Sequence, residues 1–572
     1  MSPKQPGAQA SLLEPDDDAF RDAMRFEKTF RIAVSGDVLL TNLELRIVDT
    51  ADFQRLRNVR QLGTVNFVFP TALHTRFDHS LGTLSMAERM LSAIMNNTSS
   101  ADDERHVTTL DRILTRLYAL LHDVAHVPFG HTIEDELRLY ERHDENPARL
   151  YRFLGPQSDI GQLITATLGH TAYDRFMAIY LWDENADVRA KRLASSKWEP
   201  LRQWLEMKFD DVYIHDIVSN TVCADLLDYL QRDNYFCNLG VSLEYRFLNF
   251  LYIHVPEETE TKSRRVFVRL WKGRKNKPRR DTLTDLARLL ETRYMVAERA
   301  YFHHAKLITG AMLGRALQEA GSSGELTEEM LYDHSDDSLL RALRQSKVKL
   351  AAMLGGRLFR RQLFKMIEVF DQAVFQEAQQ SDHEIKFRDQ ALAVLSDPKE
   401  RRSFEDEIAE KIDVDPGTIL IYSPPTKMNL KPARMNVRWK GVDTELRNID
   451  DPVTGPRLKE ILDAHELLWG VWLIGAAHLT PDQKALAVEE FELRFLVRDT
   501  AQLQRRLKHA EALIEVRLAK EGGRYSGDVP ALLQRRRQVA EEYLATSTDK
   551  QSHARRLSAA AKRVISDHDR SA

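Results

Sequence analysis

Cysteine is nearly absent, with only Cys223 and Cys237 in 572 residues. Two thiols can build neither a disulfide framework nor a four-thiolate zinc site, and their scarcity points to a reducing, cytoplasmic setting. Glycine (24) and proline (19) are too few for a collagen-like or low-complexity chain. Neither charge sign dominates: 82 Lys+Arg against 86 Asp+Glu leave a net charge of -4, which excludes a nucleic-acid coat protein. Long apolar runs are missing too. The longest uncharged one, LLWGVWLIGAAHL at 467–479, is shorter than the roughly 18 residues of a membrane-spanning helix. No membrane partner is therefore expected. The opening MSPKQPGAQASLLEPDDD is acidic and has no apolar core, so it does not read as a signal peptide.

The chain does contain 43% hydrophobic residues, enough for a large core divided among two to four domains. It also holds 19 histidines, several of them between 74 and 143. The stretch 30–50 predicts a hairpin with Gly36-Asp37 at its turn. LDRILTRLYALLHDVAHV (110–127) has helical apolar spacing and is expected to end before Pro128. Residues 219–236 form a second predicted helix, 250–270 two short strands, and 283–320 and 338–380 further helices. After a charged helical stretch, 417–424, 432–441 and 465–476 read as strands. The expected fold is mainly α, with small β-hairpins and a smaller α/β C-terminal lobe. Its divisions are a tail (1–29), a helical core (30–385), the lobe (386–500) and a charged helical tail (501–572).

His79, the His122-Asp123 pair and Asp225 stand on separate predicted helices. Two imidazoles and two carboxylates that converge suit a divalent ion with open positions for water and phosphoryl oxygen. Taken singly, each of these residues reads equally well as a satisfied core or surface side chain.

The segments DFQRLRNVRQLGTVNFVFPTALHTRFDHSLGT (52–83), LLHDVAHVPFGH (120–131) and ADLLDYLQRD (224–233) change that. In order, spacing and flanks they resemble the HD-domain deoxynucleoside triphosphate triphosphohydrolases, a family that includes bacterial dGTPases and the human SAM-and-HD-domain dNTPase. The likeness runs from about 30 to about 500, and no SAM domain is visible. It implies an HD-domain helical core and makes His79, His122, Asp123 and Asp225 ligands of a divalent metal (Mn, Mg, Fe, Zn, Ni or Co). It implies catalytic roles for His126, His131, His143 and Asp225. Gln61, Leu62, Arg76, Tyr229, Asp233, Arg293 and Tyr301 become substrate-binding residues. The chain departs from the family pattern at Leu226, where the eukaryotic member has a phosphate-binding lysine, and at Glu298 and His304, which replace basic residues.

KSRRVFVRLWKGRKNKPRR (262–280) carries ten Lys/Arg and no acid. It reads as a solvated loop, as an anion site, or as a contact for single-stranded nucleic acid through counterion release, with Trp271 placed to stack on a base. The resemblance implies an effector-nucleotide site made by Asp49, Gln54, Arg57, Arg279 and Arg280, and a homo-oligomer. The leading expectation is a metal-dependent hydrolase that releases inorganic triphosphate from dNTPs. An HD phosphodiesterase or nuclease and a dNTP-sensing regulator are the alternatives, and a nucleotide-depleting antiviral role is compatible with the family.

Overall fold

The computed structural model describes residues 20–97, 106–256, 263–272, 277–378, 387–425 and 434–496. The basic segment's residues 262 and 273–276, the 501–572 tail and residues 1–19 lie outside them.

Three helices make the centre. Arg76–Asn97 buries Phe77, Leu81, Leu84, Met90, Leu91 and Ile94, a helical stripe of three- and four-residue steps. Thr109–Leu121 begins at a capping box, in which Thr108 and Asp111 satisfy each other's backbone amides. Ala224–Phe236 begins at Cys223, whose thiol accepts from the Leu226 amide at 3.5 Å. The first and third helices pack so closely that Gly82 has no room for a side chain. A Cβ there would lie 2.0 Å from Asp228 Oδ1.

The Thr109–Leu121 helix stops six residues short of the predicted Val127, because side chains take over its last carbonyls. The His122 ring binds the Ala119 carbonyl at 2.9 Å, and the Tyr180 hydroxyl donates to the His122 carbonyl at 3.0 Å. The Arg55 guanidinium donates to the carbonyls of Val124 and His126. His122 and His126 are therefore not one helical turn apart on a common face, as the sequence suggests. His122 closes the helix and His126 ends the turn that follows. A short π-helix, Thr132–Glu136, comes next.

The strands are short. β1 (Phe26–Ile32) and β2 (Gly36–Thr41) form the expected hairpin, but its turn is Ala33–Ser35. Gly36 already pairs with Ile32. β3 (Leu251–His254) and β4 (Arg265–Val268) match the two predicted strands, and β5 (Trp271–Lys272) pairs with β6 (Lys277–Pro278). The helical reading of 338–380 misses β7 (Lys365–Asp371), which follows the helices Asp336–Arg344 and Lys349–Phe359. The remaining strands are β8 (Ile419–Tyr422), β9 (Asn436–Trp439), β10 (Val442–Glu445) and β11 (Gly470–Gly475). Residues 465–466 belong to the preceding helix, Thr454–Glu466, rather than to a strand.

The sheets cross the expected 385/386 division. β11 sits between β7 and β8, while β9 pairs in parallel with β4, in the order β10-β9-β4-β3. Period-two alternation divides the first of these sheets between two cores. Leu420, Tyr422, Trp472 and Ile474 pack with Val127, Phe129, Ile133 and the His304–Ser322 helix. Ile419, Ile421, Val471 and Leu473 face the C-terminal helices. Among the described residues no helix is long and apolar enough to cross a membrane.

Gly82→Ala is expected to destabilise the fold by about 1–3 kcal/mol through overpacking against Asp228 and Arg232, as measured by urea denaturation.

Candidate metal centre

His79 enters from the first turn of the Arg76–Asn97 helix, His122 and Asp123 from the end of Thr109–Leu121, and Asp225 from the start of Ala224–Phe236. His79 Nε2 lies 3.2 Å from His122 Nε2, 3.1 Å from Asp225 Oδ1 and 3.7 Å from Asp123 Oδ2. His122 Nε2 lies 3.4 Å from Asp123 Oδ1 and 3.7 Å from Asp225 Oδ1. The second nitrogen of each ring fixes its tautomer. His79 Nδ1 donates to Asp228 Oδ2 at 3.0 Å and His122 Nδ1 to the Ala119 carbonyl, so both Nε2 lone pairs face the centre. Asp228 is itself gripped by Arg232, with two contacts of 2.8 Å.

Burial opposes a positive charge on His79, yet Asp225, Asp228 and Asp123 outweigh it and push its pKa up to about 10. Burial alone would raise Asp225, but His122 and His79 hold it below the usual carboxylate range. Asp123 is held down in the same way, against burial, by His122, Arg76 and His126. A field that attracts protons this strongly attracts a divalent cation for the same reason. His79, His122 and Asp123 lie close enough together to share one such ion, and Asp225 approaches both rings from the third helix.

Asp123 joins this centre to a second group. Its Oδ2 accepts from Arg76 Nη1 at 2.5 Å, and its Oδ1 lies 3.4 Å from His126 Nε2 and 3.9 Å from His143 Nε2. Among the described residues Arg76 Nε and Nη2 are buried without a hydrogen-bond partner, and His126 Nε2 has only its 3.4 Å approach to Asp123. Gly130, at φ +25°, lets the chain pass Arg76, since a Cβ there would lie 2.7 Å from its Nη2.

His126 and His143 stack with ring centroids 3.6 Å apart. Burial and then the His126 ring push His143 down to about 3, so it is neutral at pH 7. His131 is half exposed. Partial burial opposes its charge, but Asp135 at 2.6 Å outweighs it and raises its pKa. His126 Nδ1 binds Glu134 Oε2 at 2.7 Å. Burial would raise Glu134, but His126 and Arg149 hold it down at about 2.

The residues expected to bind sugar and base meet on the other side. Asp233 Oδ1 accepts from His74 Nε2 at 2.8 Å and Oδ2 from the Tyr301 hydroxyl at 2.5 Å. The Gln61 amide donates to the His74 carbonyl at 3.1 Å, and Leu62 packs half-buried behind it. Tyr229 feels the charges of Arg293, Asp225 and Asp233. Buried Gln61 Oε1 and Arg293 Nη1 have no partner among the described residues.

The residues expected at an effector site fall into two groups with no hydrogen bond or ion pair between them among the described residues. Asp49 caps the Asn42–Val48 helix, while Gln54 accepts from Arg57 Nε at 2.8 Å and Arg57 lies over Phe77. Arg279 and Arg280 pair with Asp281 and Asp451. The described part of the basic segment borders a cleft of about 170 Å³ lined by Trp271, Pro278, Arg438, Trp439 and Lys440.

Sequence reasoning missed the residues that orient the others. Asp228 and Arg232 follow Asp225 at three- and seven-residue steps, a polar stripe on an otherwise apolar helix and a signal that could have found them. No local pattern announces Glu134.

Residues 76–195 match the HD domain family and residues 285–457 the family described as HD-associated region. The chain therefore contains an HD domain followed by an HD-associated region. It is 24% identical over 347 residues to the deoxynucleoside triphosphate triphosphohydrolase SAMHD1 homolog of Dictyostelium discoideum, covering 58% of each chain. It is 27% identical over 318 residues to deoxynucleoside triphosphate triphosphohydrolase SAMHD1 of Danio rerio, covering 52% of this chain and 47% of that one. The chain thus spans about half the length of the curated relatives it matches. A solved structure of a hypothetical protein from Aquifex aeolicus has the same fold. Its TM-score is 0.52 at 21% identity, and the match covers 81% of this chain and 99% of that one.

Asp228→Asn is expected to weaken metal binding about 10–100-fold with the ligands intact, as read by titration of the metal-free protein. Glu134 ionises at about 2 in the fold against 4.5 for an unperturbed glutamate, so its stabilisation is full above pH 4.5 and lost as pH falls towards 2. Glu134→Gln should flatten the unfolding free energy across that window.

Proposed function

We propose that this chain hydrolyses deoxynucleoside triphosphates to deoxynucleoside and inorganic triphosphate. The observation that carries the reading is the convergence of His79, His122, Asp123 and Asp225 beside the free nitrogens of Arg76 and the ring of His126. A divalent cation held by those four residues would acidify water and polarise a phosphoryl oxygen.

The chain's own groups then divide the work. Arg76, tethered at Nη1 by Asp123, offers Nε and Nη2 to phosphate oxygens. His126, oriented by Glu134, presents Nε2 at the α-phosphate as water attacks the α-phosphorus, and His131, whose proton Asp135 favours, supplies a proton to the 5′-oxygen of the departing deoxynucleoside as its bond to the α-phosphorus breaks. His143 is a neutral ring that packs on His126. Asp233 and Tyr301 hold the deoxyribose, Tyr229 closes against the place of a 2′-hydroxyl, and Gln61 and Leu62 border the base. Arg293 binds further along the triphosphate. The curated relatives named as triphosphohydrolases support this assignment over the half of their length that the chain spans.

A nucleotide effector belongs to the same reading, with Asp49, Gln54, Arg57, Arg279 and Arg280 as its contacts in a homo-oligomer. The cleft between Trp271 and Trp439, with Arg438 and Lys440 at its edge, favours an aromatic, anionic ligand and keeps single-stranded nucleic acid as a second reading.

Chromatography of each dNTP, singly and in pairs, with Mn²⁺ or Mg²⁺ tests the proposal. Triphosphate release that disappears in Asp225→Ala is the expected outcome. Metal-loaded protein that releases none in any combination overturns it, and metal-dependent cleavage of a single-stranded oligonucleotide would favour the second reading.

A further inference from the structure

Asp336 begins the Asp336–Arg344 helix, inside the HD-associated region. Its side chain is 1% exposed and points away from that helix. Oδ2 accepts from the Arg60 amide and Oδ1 from the Phe129 amide, both at 2.6 Å. These amides belong to the two loops that carry the site. Arg60 precedes Gln61 and Leu62, and its strand segment pairs with Thr75 beside Arg76. Phe129 lies between His126 and His131, in the left-handed backbone region at φ 59°. A bulky residue is seldom found there and needs external support to stay. Burial pushes the Asp336 carboxyl up to about 6, which leaves it ionised at neutral pH and able to accept on both oxygens.

We infer that Asp336 is a positioning residue, holding the Arg60–Leu62 loop and the His126–His131 loop in one mutual arrangement from outside the HD domain. The loop-holding stands on geometry alone, whereas its effect on turnover rests on the triphosphohydrolase reading. Neighbouring Asp337 supplies an internal control. It pairs with the Arg60 side chain at 2.8 Å but is 75% exposed and touches neither loop's backbone.

The test compares full-length Asp336→Asn, Asp336→Ala and Asp337→Ala with the parent. It reads hydrogen exchange by mass spectrometry, metal content, and kcat and KM for the dNTP turned over fastest. Asp336→Asn keeps one acceptor and should lower kcat about tenfold, and Asp336→Ala about a hundredfold, with KM and metal content within about twofold. Exchange should quicken in peptides 59–62 and 126–131 while the 76–97 and 224–236 helices stay protected. Asp337→Ala should match the parent in every readout. Unchanged exchange or unchanged kcat in the Asp336 variants overturns the inference, as does an equal effect from Asp337→Ala. Loss of protection throughout the chain in both Asp336 variants also overturns it, since Asp336 would then hold the whole fold. A parent protein without dNTP hydrolysis overturns the functional reading instead, and exchange still decides the loop-holding.

Discussion

The centre depends on keeping the Asp123 carboxylate charged and buried. An isolated carboxylate at 5% exposure would protonate or unfold its surroundings, because the loss of hydration is too large to leave unmatched. Here Arg76 takes one oxygen while His122, His126 and His143 crowd the other. The same four partners define the geometry in which a cation and a phosphate can meet. Removing Arg76 would take away the one guanidinium that neutralises this carboxylate, so the site is held together by the same interactions that make it reactive.

Three histidines of the site are steered by carboxylates further out. Asp228 turns His79, Glu134 turns His126 and Asp135 turns His131, while Arg232, Arg149 and Arg142 neutralise those carboxylates in turn. Three consecutive acids, Glu134, Asp135 and Glu136, point to three different partners, as successive positions around a helical turn do. The last of the three reaches Lys306 and Tyr422, which ties the histidine loop to β8 of the C-terminal sheet.

Much of this arrangement was legible in the sequence, and the rest failed for identifiable reasons. The helices Thr109–Leu121 and Ala224–Phe236 were visible because Leu114, Leu117 and Leu121, and Leu226, Leu227 and Leu230, repeat at helical spacing. The convergence of His79, His122, Asp123 and Asp225 was legible because the motifs that flank them are specific. The end of the Thr109–Leu121 helix was not, because the groups that halt it, Arg55 and Tyr180, are remote in sequence and side-chain capture of a carbonyl leaves no local pattern. β7 was missed because MIEVFD carries no strict alternation and follows two helices. Asp336 was missed because its partners are backbone amides, which no residue type announces.

The parallel pairing of β4 with β9 has a consequence for the chain as it is made. β4 ends at Val268, whereas β9 does not begin until Asn436. A ribosome therefore releases the completed HD core with one edge of β4 still open, its amides and carbonyls facing whatever strand arrives first. Until the later segment docks, that edge is an invitation to pair with another nascent chain.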